Sequence, residues 1–291
     1  MNTIVRYITD RLRDVYEPDE ALALAWWVAE EVTGQTRSQL LSDCKSTTNI
    51  PNTQIFDAII DRLRRFEPIQ YIFGHTLWCG LDLKVTPATL IPRPETAELV
   101  EKIINHKSKI TNTPIRVLDI GTGSGCIALA LKQAHPEWQV TGIDISVQAI
   151  EVAKENALRN HLDVDFQVAD IFQSPITNNL SPITDKHYDL VVSNPPYICE
   201  KEKTAMRSNV LNYEPASALF VPNNDPLKFY RRIAELFSSH LSPLTSHLCF
   251  EINEAYPKEL ATLLEDLGYT DIQITQDTYG KPRIIEARSA R

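Results

Sequence analysis

Hydrophobic residues in the first quarter of the chain recur at helical spacing. Ile4, Ile8 and Leu12 fall at every fourth position, which places them on one face of a helix. Gly34, which follows a second apolar-periodic stretch, is typical of a residue just past the end of a helix. We therefore predict a small helical domain over residues 1–72.

Residues 73–92 follow a different pattern. Apolar and polar positions alternate over 81–85, as expected of a half-buried strand, and Gly74 and Gly80 mark turns. This segment is predicted to form a β-hairpin that links the helical domain to a larger domain over 93–291.

From residue 115 onward, strand patterns alternate with helix patterns. Such alternation is typical of a mostly parallel sheet with helices on both faces. A short turn around Gly280 joins the last two strands, so the last strand should run antiparallel. The sequence therefore predicts an α/β fold with a seven-stranded, mostly parallel, doubly wound sheet. The predicted strands cover 116–120, 139–144, 165–168, 189–193, 247–252, 271–275 and 283–287, and the predicted helices cover 126–133, 147–160, 226–240 and 256–267.

The composition limits the classes of function. Hydrophobic residues make up 43% and charged residues 23% of the 291 positions, as in soluble globular proteins. No stretch approaches the ~18 apolar residues of a membrane span. The net charge of −9 argues against a protein that grips a nucleic-acid backbone. Five scattered cysteines without a Cys-x-x-Cys pair argue against structural zinc and disulfides. With no signal-peptide pattern in sight, a cytoplasmic protein is expected.

A glycine-rich loop joins the first strand of the α/β domain to the next helix. Glycines at such a junction let the backbone approach a ligand closely and turn tightly into the helix. Their spacing is G-x-G-x-G, which differs from the G-x-G-x-x-G of dinucleotide-binding loops. Asp119, just ahead of the loop, would repel a pyrophosphate but attract a cationic ligand. The loop consists of Gly121, Thr122, Gly123, Ser124 and Gly125.

Two more carboxylates follow the next two strands. Asp144 ends the second strand, where an acid can accept hydrogen bonds from both hydroxyls of a ribose. Asp170 follows the third strand and could meet an adenine amino group. Each of them alone could instead be a helix N-cap. Together with Asp119 they indicate a nucleoside ligand with a positive group and no phosphates, namely S-adenosylmethionine.

A second motif, Asn194-Pro195-Pro196-Tyr197, follows a buried strand. Two prolines end the strand as a stiff turn at the sheet edge where ligands bind in such folds. The side-chain oxygen of Asn194 and the carbonyl of Pro195 can accept both hydrogens of a flat NH2 group, and the ring of Tyr197 can lie against its π face. A structural turn alone is the alternative interpretation. The polar loop over 199–218, beyond the motif, is a candidate substrate lid.

The glycine loop, its carboxylates and the Asn-Pro-Pro-Tyr motif together resemble the class I, S-adenosylmethionine-dependent methyltransferases. Further segments narrow the resemblance to the release-factor glutamine methyltransferases, and the match covers nearly the whole chain. The most specific of these segments is Leu-Ile-Pro-Arg-Pro-Glu-Thr at 90–96. The segments that carry the resemblance are 67–75, 87–96, 119–125 and 192–198.

The resemblance implies a specific reaction. A protein of this family transfers a methyl group from S-adenosylmethionine to the N5 nitrogen of the glutamine in the Gly-Gly-Gln motif of class 1 peptide chain release factors, and releases S-adenosylhomocysteine. It implies Asn194, Pro195 and Tyr197 as catalytic residues, Pro196 as a further substrate contact, and Asn194 beside the cofactor as well. It also implies an N-terminal domain that holds the release factor, and a monomer without metal, membrane or direct nucleic-acid partners. The family often has tryptophan beside the adenine where this chain has Ile171, so we expect an altered apolar wall.

Some alternatives and roles stay open at this point. The rival functions are methylation of a ribosomal-protein glutamine, N6 methylation of adenine in nucleic acid, and a binding module without catalysis. His75 is interpreted as structural rather than as a base. Arg93 and Glu95 could border the cleft or pair with each other, and Glu251 is a candidate to face the cleft.

Overall fold

The computed structural model describes residues 2–42, 53–105, 115–173, 188–237 and 247–289. Cys44, residues 174–187 and the end of the predicted 226–240 helix lie outside these ranges. The chain forms two compact units. One contains the residues up to Gly74 together with Arg207–Tyr213, and the other contains His75–Met206 and Glu214–Arg291.

The first unit is helical. Its core is built from the apolar faces of the helices, with Val5, Ile8 and Leu12 fully buried. Asn2 caps the first helix by accepting a hydrogen bond from the Ile4 amide. The helices are Thr3–Leu12, Pro18–Thr33, Arg37–Ser42, Thr53–Arg64 and Ile69–Phe73.

One segment of the region predicted as a polar loop belongs to the helical unit. Ser208–Tyr213 forms a short helix, and the Tyr213 hydroxyl donates to the Arg65 carbonyl at 2.9 Å. The 199–218 region also contains the 3-10 helix Glu200–Ala205 and the helix Ala216–Leu219. The sequence pattern had suggested a polar loop over 199–218, but most of this region is helical.

The second unit begins with a β-hairpin, as the alternation predicted. β1 (His75–Trp78) pairs antiparallel with β2 (Leu81–Lys84). Asn156, in the helix Val147–Arg159, and Asn160, the C-cap of that helix, hydrogen-bond the backbone of β2 through their side chains.

A seven-stranded sheet forms the centre of the second unit. The strands after the hairpin are β3 Arg116–Ile120, β4 Gln139–Asp144, β5 Asp165–Val168, β6 Leu190–Ser193, β7 Ile198–Cys199, β8 Phe220–Val221, β9 His247–Glu251, β10 Tyr269–Gln276 and β11 Pro282–Ser289. The order in the sheet is β10-β11-β9-β6-β3-β4-β5, and β11 runs antiparallel to both of its neighbours while the other pairs are parallel. The predicted mostly parallel sheet with an antiparallel last strand is confirmed, with strand ends that differ by two residues or fewer. A short parallel pair, β7 with β8, lies outside this sheet.

Helices cover both faces of this sheet. Successive strand residues point to opposite faces, so Val117 packs in one core cluster and Leu118 in the other. On the Val117 face lie Pro94–Asn105, Cys126–Ala134 and Val147–Arg159, and on the Leu118 face lie Lys228–Phe237 and Pro257–Asp266.

The neighbours of β3 decide where a ligand can bind. β4 lies on one side of β3 and β6 on the other, so the chain crosses over at this strand, and such switch points leave a crevice at the carboxyl ends of the strands. Within the described ranges, no helix is long and apolar enough to cross a membrane.

Candidate active site

A cavity of about 420 Å³ opens at the carboxyl ends of the central strands. It brings both sequence motifs together, because the glycine loop follows β3 and the Asn-Pro-Pro turn follows β6. Of the residues singled out from the sequence, those lining the cavity are Arg93, Gly121, Thr122, Gly123, Ser124, Asp144, Asp170, Ile171, Asn194, Pro195 and Pro196. Asp119, Gly125 and Tyr197 lie outside its lining.

The glycine loop is held by the neighbouring strand. The amides of Gly121 and Thr122 both donate to the carbonyl of Ile143 at 2.9 Å. Gly121 and Gly123 have φ values of 71° and 55°, which favour glycine, and a Cβ on either residue would meet no atom within 4 Å. The loop thus presents bare backbone to open space in the cavity.

Asp119 supports this loop from a fully buried position. Its Oδ2 accepts hydrogen bonds from the Thr122 hydroxyl at 2.6 Å and from the Ala128 amide at 3.3 Å. Its Oδ1 has no hydrogen-bond partner among the described residues. Burial raises the pKa of Asp119 to about 7. A buried acceptor without a partner beside the loop fits a ligand that carries positive charge nearby.

Asp144 connects the glycine loop to the next helix. Its Oδ2 accepts from the Gly123 amide and its Oδ1 from the Ser146 amide, each at 2.9 Å. Ser146, rather than Asp144, is the N-cap of the following helix. Burial raises the pKa of Asp144, and these backbone amides oppose the shift. Each carboxylate oxygen uses one backbone amide and keeps acceptor capacity for ligand hydroxyls.

The wall next to Asp170 is apolar and partly aromatic. Asp170 Oδ1 accepts from the Phe172 amide at 2.9 Å. Ile171 is buried and lines the cavity. The rings of Phe172 and Phe229 also line it and meet edge to face with centroids 5.2 Å apart, and the Lys228 ammonium lies 4.6 Å from the Phe172 centroid. Phe172 and Phe229 thus supply aromatic surface beside Ile171, and the pattern of the sequence had singled out neither ring.

Asn194 is tied to two residues from other segments. Its Nδ2 donates to Thr96 Oγ1 at 3.1 Å, and Thr96 Oγ1 donates to Glu251 Oε2 at 2.6 Å. Thr96 lies in the first turn of the helix Pro94–Asn105 and lines the cavity, while Glu251 ends β9. The sequence marked Glu251 only as a candidate to face the cleft. It marked Thr96 only as part of the 90–96 segment.

Glu251 also binds the far end of the motif. The Tyr197 hydroxyl donates to Glu251 Oε1 at 3.0 Å, and the Tyr197 carbonyl accepts from Asn253 Nδ2 at 3.0 Å. The Tyr197 ring packs against the core cluster on the Leu118 face of the sheet. Burial, and then the Glu251 charge, raises the pKa of Tyr197 far above its usual value. Burial raises the pKa of Glu251 too, opposed by the bonds from Thr96 and Tyr197 and by the charge of Arg283.

An ion pair between the half-buried Arg93 and the buried Glu214 joins two segments of the cavity wall. Arg93 donates to Glu214 Oε1, and the Ile91 amide donates to Glu214 Oε2 at 3.2 Å. The Glu214 side chain is 1% exposed. The partner of Arg93 is therefore Glu214, and not Glu95 as one sequence interpretation had it. His75 lies in β1, where its Nδ1 bonds Asp82 Oδ1 at 2.9 Å.

The sheet order, the glycine loop and the carboxylates at the strand ends define a class I methyltransferase. Two family models match the chain: the methyltransferase small domain over residues 96–222 and the PrmC N-terminal domain over residues 3–74. The chain belongs to the release factor glutamine methyltransferase family, because a curated member of that family is 42% identical to it over 99% of its length.

Relatives of this chain have the same description in several bacteria. The release factor glutamine methyltransferase of Bacteroides thetaiotaomicron is 42% identical over 99% of both chains. That of Flavobacterium psychrophilum is 43% identical over 79% of both chains. Among solved structures, a methyltransferase from Pyrococcus furiosus has a TM-score of 0.53 at 17% identity, covering 79% of this chain and 99% of that one, which shows a shared fold.

Proposed function

We propose that this chain transfers a methyl group from S-adenosylmethionine to the side-chain amide nitrogen of a glutamine in a peptide chain release factor. One observation carries the proposal beyond family membership. A single cavity is lined on one side by the glycine loop with Asp144 and on another by Asn194 and its two prolines. A methyl donor and an acceptor amide can therefore meet in it.

The residues at this site fit S-adenosylmethionine. Open space over Gly121 and Gly123 admits a ligand against bare backbone. The acceptor capacity of Asp144 suits the two hydroxyls of a ribose, and the ring surfaces of Phe172 and Phe229 suit a base. Asp119, buried with an oxygen that has no partner among the described residues, suits a cationic methionine part. Within those same residues, no group of three or more metal-ligating side chains comes together.

The chain's own residues must activate a poor nucleophile. The lone pair of an amide nitrogen is delocalised into its carbonyl, so alignment is the main requirement. S-adenosylmethionine, when bound, supplies the methyl group with a good leaving group. Asn194 Oδ1 and the Pro195 carbonyl would accept the two N–H groups of the glutamine amide and favour positive charge on its nitrogen. The methylated nitrogen would then lose one of its two protons to solvent. Such orientation lowers a barrier by roughly 7–11 kcal/mol in well-ordered systems.

The finer details of the reaction are part of the same proposal. The acceptor is the N5 nitrogen of the glutamine in the Gly-Gly-Gln motif of class 1 release factors, and the product is S-adenosylhomocysteine. The helical unit holds the release factor. The enzyme acts in the cytoplasm as a monomer, and no metal takes part.

The test is a transfer assay with labelled S-adenosylmethionine. The acceptors are purified release factor, its Gln→Ala variant, ribosomal protein and adenine-containing DNA. We expect label only in the native release factor, with the added methyl group found on the glutamine by peptide mass spectrometry. Equal labelling of the Gln→Ala variant, or labelling of DNA or ribosomal protein alone, would refute the proposal.

A variant of the chain tests the role of the motif. Asn194→Ala removes one acceptor of the amide hydrogens, and loss of one such group in an active site costs about 100-fold or more in turnover. Binding of S-adenosylmethionine to the same variant, measured by calorimetry, shows whether the cavity is still formed. Native turnover in Asn194→Ala would contradict the mechanism while leaving the substrate assignment to the transfer assay.

A further inference from the structure

We propose that Thr96 and Glu251 are positioning residues that decide which edge of the Asn194 amide faces the substrate. The inference rests on the proposed function, because it concerns how the acceptor amide is oriented. Its basis is the chain of hydrogen bonds from Asn194 to Thr96 and from Thr96 to Glu251.

The direction of this chain follows from what each group can donate. The bonds from Thr96 and Tyr197 and the charge of Arg283 favour the ionised form of Glu251 against the effect of burial on its pKa. An ionised carboxylate only accepts, so the short contact to Glu251 requires Thr96 to donate its single hydroxyl proton. Thr96 Oγ1 can then only accept from Asn194, which must present its NH2 group on this side. The amide oxygen of Asn194 is left for the cavity that Asn194 lines.

The opposite orientation would fail on both sides of the amide. A flipped Asn194 would set its oxygen against the lone pairs of Thr96 Oγ1 with no proton between them. Its NH2 group would then face the NH2 group of the glutamine substrate, where two donors meet without an acceptor. Leaving buried polar groups unpaired is unfavourable, so the carboxylate of Glu251 fixes the orientation through Thr96.

The surroundings of Glu251 hold the carboxylate itself in place. Thr96 and Glu251 are 2% and 1% exposed, so water does not compete for their bonds. The second carboxylate oxygen accepts from the Tyr197 hydroxyl, and the Glu251 carbonyl accepts from the Tyr230 hydroxyl at 3.0 Å. One side chain at the end of β9 therefore positions both Asn194 and Tyr197, the first and last residues of the motif.

The experiment compares three substitutions by steady-state kinetics with release factor as acceptor. Thr96→Val removes the hydroxyl but keeps the shape, and we expect kcat to fall about 100-fold, the size of effect that misorientation of a reacting group produces. Thr96→Ser keeps the hydroxyl and should retain most of the turnover. Glu251→Gln keeps the shape but adds a hydrogen-bond donor. The hydrogen bonds from Asn194 through Thr96 can then run in the opposite direction, so kcat should fall here as well.

A double substitution separates positioning from a loss of structure. In an Asn194→Ala background, no amide remains to be oriented, so adding Thr96→Val should cause little further loss in single-turnover rate. If Thr96→Val lowers the rate equally in both backgrounds, its role is only structural and the inference is wrong. If thermal unfolding shows that Thr96→Val does not fold, Thr96→Ser and Glu251→Gln test the inference instead. A native kcat in Glu251→Gln, or a lost kcat in a folded Thr96→Ser, overturns the inference.

The same assays separate this inference from the proposed function. If the native chain methylates the release factor and Thr96→Val does so equally well, only the positioning role fails. If the native chain methylates no glutamine, the proposed function fails and the positioning role falls with it.

Discussion

Gly142 in the middle of β4 leaves space that a neighbouring ring fills. A Cβ at this position would lie 2.6 Å from both Cδ1 and Cε1 of Phe166 and 2.9 Å from Oγ1 of Thr122. The Phe166 ring is 3% exposed, and its Cζ lies 2.9 Å from where a Cβ on Gly125 would be. Gly142→Ala therefore pushes a methyl group into a ring that is also packed beneath the glycine loop.

The size of the effect follows from the distances. Carbon atoms pack at about 3.5–4.0 Å, so the ring must move by about 1 Å. Overpacking of a dense core costs typically 1–3 kcal/mol, and replacing a strand glycine by alanine returns about 0.5–1 kcal/mol of chain entropy. A net loss of about 1–2 kcal/mol in the free energy of unfolding is expected. Because Thr122 must move too, S-adenosylmethionine should bind more weakly.

Chemical denaturation gives the first quantity and calorimetry with S-adenosylmethionine gives the second. Phe166→Leu is the matched control, because it removes ring atoms from the space that the new methyl group enters. Gly142→Ala should cost clearly less in the Phe166→Leu background than in the native chain. The packing argument is refuted if Gly142→Ala is as stable as the native chain, or if it costs the same in both backgrounds.

Three further changes test other parts of the second unit. Burial raises the pKa of Asp119 to about 7, so the folded chain binds an extra proton and Asp119 destabilises it increasingly as pH rises from about 4 to 7. Denaturation at several pH values should show the free energy of unfolding of the native chain falling relative to that of Asp119→Asn across this range, and parallel stability curves for the two proteins would contradict this. Asn156→Asp sets a carboxylate against the Lys84 and Ser124 carbonyls, which the buried Asn156 amide binds at 3.0 and 2.9 Å, so the free energy of unfolding should fall by about 3 kcal/mol or more in the same assay. The loss should exceed that of Asn160→Asp at a half-buried position, and equal losses would argue against a special role of these two bonds. Glu214→Gln removes the charge that faces Arg93, whose side chain is 31% exposed, so we expect the free energy of unfolding to fall by about 1–3 kcal/mol, as measured by thermal unfolding. An unchanged free energy of unfolding would show that the ion pair contributes no stability.

The sequence predicted the fold well where the signal is local. Buried parallel strands such as β6 (Leu190–Ser193) are short, mostly apolar runs, and parallel strands bring their carboxyl ends to one edge. The sequence alone therefore placed Asp144, Asp170 and Asn194 together at one edge of the sheet, where the cavity lies. The short helices Arg37–Ser42 and Ile69–Phe73 were missed, because five or six residues are too few to show a helical period.

The contacts that complete the site could not be predicted in this way. Thr96, Asn194 and Glu251 lie far apart in the sequence, and each has several possible hydrogen-bond partners until packing selects one. Arg93 had a nearer carboxylate in Glu95, yet its partner is Glu214, more than a hundred positions away. Choices of this kind depend on which segments the sheet brings together.

The bond from Asn194 to Thr96 also bears on what happens after the methyl group has moved. In the proposed reaction, Asn194 Oδ1 and the Pro195 carbonyl would recognise the substrate amide by the two hydrogens on its nitrogen. The methylated product has only one, and its new methyl group occupies the space beside the other acceptor. The site is thus less complementary to its product than to its substrate, so we expect it to stop after a single methylation and to release the modified chain.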